Sequence, residues 1–136
     1  MKTFKTPFLF SIIITICLIV TSCLSDSYTH TEYLVLVDSI HAPAIVTANV
    51  PFDIEFFGTI GTNGCCNFNG FNQNISDTDV SIRVSAVYDD KAKSCPTVMV
   101  YLDGRKFNTS IPNRGTYIIK IIQPNSSTLD KQITVN

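Results

Sequence analysis

Residues 80–86 read VSIRVSA. Val80, Ile82, Val84 and Ala86 are apolar, and Ser81, Arg83 and Ser85 between them are polar. Successive side chains of an extended strand point to opposite faces. This alternation therefore sets one apolar face on a core and one polar face in water. The same period recurs on both sides. Residues 33–37 (YLVLV) are apolar and largely β-branched, and residues 44–46 (AIV) follow Pro43. Phe52, Ile54 and Phe56 alternate with Asp53 and Glu55. Residues 97–102 run into Asp103-Gly104, a tight-turn dipeptide. Residues 116–122 form another run, closed by Pro124-Asn125, and residues 132–135 form a last one. No sustained 3.6-residue apolar pattern occurs outside the N-terminal segment, and no internal repeat is visible. Short strands punctuated by turn signals predict an all-β fold, a single antiparallel sandwich or barrel.

The chain has 136 residues, enough for one domain. It opens with a different kind of segment. Lys2 and Lys5 precede an apolar run from Phe8 to Val20, broken only by Ser11 and Thr15. A secretory signal has an apolar region of about 7–15 residues, whereas a spanning helix needs about 20. The run fits a signal. It ends in Val20-Thr21-Ser22 and meets Cys23. Small residues before a cut suit signal cleavage, and Thr21-Ser22 supplies them.

Val20-Thr21-Ser22-Cys23 resembles the lipobox of bacterial lipoproteins, in which a branched apolar residue and two small residues precede a cysteine. The favoured first residue of that motif is Leu, and Val20 stands here. The resemblance implies that Cys23 is diacylated on sulfur, becomes the first residue after cleavage and is often N-acylated. One acyl chain binds a bilayer marginally, and two or three anchor it, at about 0.8 kcal/mol per buried CH₂. The next residue is Leu24 rather than the Asp that retains enteric lipoproteins at the inner membrane, which points to the outer membrane. Residues 24–32 (LSDSYTHTE) read as a polar tether. Cleavage would remove Lys2 and Lys5 from 10 basic residues, leaving 8 against 11 acidic and a net charge of −3. With no Lys/Arg cluster, that charge argues against nucleic acid as a partner.

Residues 111–119 (IPNRGTYII) resemble the approach to strand F of immunoglobulin-like domains. There a turn with glycine precedes a tyrosine whose hydroxyl bonds back to the backbone. The resemblance implies that role for Tyr117. Two residues later, where antibody domains carry a cysteine, this chain has Ile119, and it has no tryptophan. That likeness therefore reaches only the sandwich architecture. The order Pro43, Val50-Pro51-Phe52 and a late Gly115-Thr116-Tyr117 strand resembles the small Ig-like domains of bacterial envelope proteins.

Beyond Cys23 the chain carries Cys65, Cys66 and Cys95. An oxidising compartment makes a disulfide the default. Adjacent residues of a strand face opposite ways, so Cys65 and Cys66 cannot share one role. If residues 64–68 are extended, Cys66 lies on the buried face with Phe68, and Cys65 faces outward with Asn67. Cys95 lies beside a surface loop at 89–94. This favours Cys65–Cys95, with Cys66 a buried free thiol. Cys66–Cys95 is the alternative if the strand slips by one residue. The spacing matches neither a zinc site nor a Cys-x-x-Cys redox motif.

Other chemistry is sparse. His30 falls in the tether, and His41 at a strand edge. Neither lies near a serine or cysteine motif, and an enzyme would need His41 assembled with a nucleophile. Asn72, Asn74, Asp77 and Asp79 read as a polar loop without calcium-loop spacing. Residues 58–74 are rich in Gly and Asn and carry Phe68 and Phe71. They form either a recognition loop or a long connection with Phe68 in the core. Sequons begin at Asn74, Asn108 and Asn125. They are chance matches in a bacterium and glycan sites in a eukaryotic secreted protein.

The sequence thus divides into a lipoprotein signal peptide (1–22), a lipidated Cys23 with a polar tether (23–32) and an Ig-like β-sandwich (33–136). It implies a non-catalytic binding or structural module of the cell envelope, held at the membrane through Cys23, without metal or cofactor. Its partner would be another envelope protein or a glycan. The alternative is an inhibitor or immunity-type lipoprotein, acting through loops at 67–79 and 89–94.

Overall fold

The computed structural model describes residues 30–136. The signal segment, Cys23 and the tether through residue 29 lie outside the described residues. Ten strands follow: β1 (His30–Leu34), β2 (Leu36–His41), β3 (Ile45–Val46), β4 (Phe52–Gly61), β5 (Cys66–Ile75), β6 (Asp79–Asp89), β7 (Val100–Tyr101), β8 (Arg105–Thr109), β9 (Gly115–Ile122) and β10 (Thr128–Val135). The described residues contain no helix. β1 starts at His30, so the last three residues of the expected tether belong to the body.

Two sheets pack face to face. In the six-stranded sheet β5 lines one side of β6. The other side of β6 is shared, with β1 along residues 85–89 and β9 along residues 79–83, and β10 and β3 follow beyond β9. In the four-stranded sheet β2 lies on one side of β4, and β7 and β8 run end to end along the other. The sheets are mixed rather than purely antiparallel. β6 pairs with β9 in parallel, as does β3 with β10. Between β6 and β9 the chain leaves to build β7 and β8 in the other sheet. Such a crossover connection is what parallel pairing requires.

The apolar face of residues 80–86 is the centre of the core. Val80, Ile82, Val84 and Ala86 are buried, as are Ile119, Ile121, Ile133 and Val135 of the same sheet. They meet Ile54, Phe56 and Ile60 from β4. Replacing sheet-face water with this contact is the main stabilising term, at about 25 cal/mol per Å² of apolar surface.

Three local outcomes differ from the pattern reading. Residues 33–37 are not one strand. The chain passes from the first sheet to the second at Val35, whose N–H donates to Val84 O at 2.9 Å. An apolar residue at every position gives no preferred face, so both Val35 and Val37 reach the core while Leu36 between them is 53% exposed. The Asp103-Gly104 turn forms, with φ of 47° and 72° and a Leu102–Arg105 hydrogen bond of 3.0 Å. It does not reverse the chain. Leu102 and Gly104 donate to Gly58 O and Phe56 O, so β4 holds both flanks and the turn becomes a bulge in an edge strand. Tyr117 is buried, but its hydroxyl has no hydrogen-bond partner among the described residues. Gly115 already pairs with Val135, so Tyr117 sits inside β9 with its ring in the core, and the implied tyrosine corner is absent.

Candidate functional site

One end of the sandwich is built around the cysteines. The chain leaves β4 at Gly61 and turns at Asn63, whose Oδ1 accepts from Cys65 N at 3.0 Å and whose O accepts from Cys66 N at 3.2 Å. Cys65 and Cys95 form a disulfide with a Cα–Cα distance of 5.2 Å, and Cys66 is a buried free thiol. Cys65 does not face water as the alternation suggested and is only 3% exposed. The segment after Cys95 folds back over it, with Gly64 N donating to Pro96 O at 2.9 Å. The Tyr88 hydroxyl lies 3.5 Å from Cys95 Sγ. Gly61 is required here, because a Cβ at that position would collide with Sγ and Cβ of Cys66.

Tyr33 ties the sheets together at this end. Its hydroxyl donates to Ile60 O at 2.8 Å. Burial pushes its pKa well above the ordinary value of 10.0, and the neighbouring Cys66 thiol adds to the shift. A raised folded-state pKa means that the contribution is complete below the unfolded value and lost as pH rises above it. Stability should therefore be flat with respect to this group up to about pH 10 and fall beyond it. Tyr33→Phe should cost about 1 kcal/mol at neutral pH. It should also flatten the alkaline limb in urea titrations.

The outer face of the four-stranded sheet runs from apolar to charged. Leu36 and Tyr101 flank Thr59 in one row, and both are more than half exposed. Val98 and Met99, also exposed, precede Tyr101 on the segment that the disulfide holds. The next row carries Phe57 opposite Ser39, beside Gly104. Beyond it the face turns polar. His41 Nδ1 lies 3.5 Å from Glu55 Oε2, and Lys106 Nζ reaches Glu55 at 3.4 Å and Asp53 at 3.7 Å. Asn108 donates to Asp53 at 2.8 Å. Exposed ion pairs of this kind contribute about 0–1 kcal/mol each. An apolar strip bordered by a polar rim has the make-up of a protein-binding surface.

The other sequence candidates separate. His41, its side chain 77% exposed, stands in this charged row. Residues 66–75 are a strand rather than a loop, so the recognition-loop reading fails. Phe68 and Phe71 turn inward, and Phe71 stacks between Phe56 and Phe107 at centroid distances of 4.8 and 5.0 Å. Arg105 covers the Phe68 ring at 4.2 Å. The expected polar loop dissolves likewise. Asn72 and Asn74 lie on β5, and Asp79 opens β6 and pairs with Lys120 at 3.0 Å. Of the two loops proposed for inhibition, the first is a hairpin that turns at residues 76–78.

Two glutamines went unread. Gln123 Oε1 accepts from Val37 N at 3.1 Å, and its Nε2 donates to Val37 O at 2.9 Å. Gln73 Oε1 accepts from Thr109, and its Nε2 is buried with no partner. Nothing in the neighbouring sequence marks either residue, because their partners lie 86 and 36 residues away.

Comparison with known protein families, with curated proteins and with solved structures gave no match to this chain.

Proposed function

We propose that this protein is a bacterial envelope lipoprotein, anchored through Cys23, whose sandwich is a non-catalytic binding module at the membrane face. The observation that carries the reading is Val20-Thr21-Ser22-Cys23, placed where an apolar segment turns polar. The Cys65–Cys95 disulfide supports it, since such bonds persist in oxidising compartments outside the cytoplasm. The entry point of the body adds support. His30 pairs with Asp89, whose N–H donates to Cys65 O, so the chain enters at the disulfide end. From Cys23 to His30 an extended chain reaches about 25 Å at most. The apolar strip of Leu36, Tyr101, Val98 and Met99 lies at that same end. An anchored domain would present it close to the bilayer, to a partner protein in the same membrane. Leu24, rather than Asp, after the cysteine favours the outer membrane for the anchor.

Cys23→Ala tests the reading. The wild-type chain should sediment with membranes and need detergent for release. The variant should lose its acyl groups and shift to the soluble fraction or stay as an unprocessed precursor. A variant that behaves in mass and fractionation like wild type would overturn the anchor.

A further inference from the structure

The other edges of this sandwich are short, charged or partly covered: β1 is five residues long with Glu32, and the stretch of β10 that β3 leaves uncovered carries Asp130 and Lys131. β3 and β7 are two residues each. β2 is met at Val37 by the Gln123 amide, and β8 carries Arg105 and Lys106. These are familiar devices against edge-to-edge pairing. β5 is different. It is ten residues long and pairs only with β6; Cys66 N at its start donates to Asn63 O, and from residue 67 onward its outer edge is open among the described residues. Its sequence, CNFNGFNQNI, holds no charge and no proline.

Its one irregularity is a bulge between Phe68 and Gly70. The bulge shifts the side-chain alternation by one position. Asn67 and Asn69 before it, and Asn72 and Asn74 after it, then all lie on the outer face and are all exposed. Cys66, Phe68, Phe71 and Gln73 lie on the inner face. The strand becomes self-complementary when read in reverse. An antiparallel copy with Phe71 opposite the partner's Phe71, and the bulge taken up at Asn69-Gly70, sets Asn67 opposite the partner's Asn74, and Asn69 opposite the partner's Asn72. Inner positions likewise meet inner positions. A carboxamide both donates and accepts, so asparagine facing asparagine can hydrogen-bond in a way that like charges cannot. A two-fold axis needs this self-matching of one patch.

We infer that β5 is a homodimerisation edge: two copies of the chain join through antiparallel β5–β5 pairing, making one continuous sheet with an asparagine ladder on its outer face. The pairing uses backbone groups that the monomer leaves open. It is independent of the anchor and of the apolar strip, which lies on the other sheet.

The test uses the full chain in detergent micelles, with micelles in large excess, and measures mass by density-matched sedimentation equilibrium across micromolar concentrations. Wild type should dimerise. Asn69→Lys with Asn72→Lys opposes like charges at the two symmetry-related 69–72 pairs and should weaken the dimer roughly tenfold or more. Asn69→Lys with Asn72→Glu opposes unlike charges in the same register and should restore it. Both double variants should stay folded and unfold cooperatively, since Asn72 is exposed and the two hydrogen bonds of Asn69, to Glu32 and Ser85, lie at the surface. A monomeric wild type would overturn the inference, including one whose β5 amides resist exchange because another segment of its own chain covers them. Equal dimerisation of all three proteins would assign the contact to another surface. Loss in both variants would overturn the proposed register.

Discussion

Replacing Cys65 and Cys95 together by serine should lower the stability of the sandwich by about 3–4 kcal/mol, measured as a shift in urea midpoint at unchanged slope. The bond spans a sequence separation of 30, and a loop of that size sets the chain-entropy term. A net stability of roughly 5–15 kcal/mol makes this a large fraction of the whole. The loss should not be spread evenly. The disulfide holds the segment from Pro96 to Met99 over Cys65, and that segment supplies the exposed end of the apolar strip. Hydrogen exchange at Gly64 and Val98, both donors to Pro96 O, should accelerate more than exchange in β6 or β9. A shift below about 1 kcal/mol would mean that packing alone holds this end together.

Gln123→Leu should cost about 2–6 kcal/mol, although it keeps a side chain of similar volume in place. Gln123 is buried, and its carboxamide is the strand neighbour that Val37 lacks. It takes the N–H and supplies a donor for the carbonyl, so one side chain stitches the β9–β10 turn to the opposite sheet. Removing it leaves two buried backbone groups without partners, and each such group costs about 1–3 kcal/mol. Gln123→Glu is the sharper comparison. It keeps an acceptor for Val37 N but places a carboxylate against Val37 O, so it should be at least as damaging at neutral pH and partly relieved on acidification. A neutral effect of Gln123→Leu would contradict the bridging role.

The two cases separate what the sequence could tell from what it could not. VSIRVSA was legible because β6 has a core on one face and water on the other, so burial wrote itself as alternation. Residues 116–122 were legible by composition instead, as a β-branched run closed by Pro124-Asn125, since Ile118 and Ile122 keep the outer face apolar. The assignment of Cys66 to the buried face, and hence of Cys65 to Cys95, followed from the same two-residue period. β5 beyond Phe68 was missed as a strand because asparagine and glycine are poor strand formers, and its bulge breaks the period in the middle. β8 (RKFNT) was missed because two charges and a preceding Asp-Gly turn look like the end of a hairpin; its pairing is a property of β4. Gln123 and Tyr33 were invisible in principle. Each bridges strands far apart in the chain, and no local pattern encodes such a contact. The apolar strip shows the same limit. Leu36, Phe57 and Tyr101 read as ordinary strand residues, and only the register brings them to one outer face.

The most direct measurement is the intact mass of the protein extracted from the membranes of the cells that make it, denatured without reductant and treated with a thiol alkylator. The account predicts a chain beginning at Cys23, carrying two or three acyl chains and one alkyl group at Cys66, with Cys65 and Cys95 unmodified in their disulfide. A mass without lipid, or one carrying glycans at Asn74, Asn108 or Asn125, would contradict it. Cys23 would then be a free thiol or a partner in a different disulfide, and the protein would be a secreted one from another kind of cell.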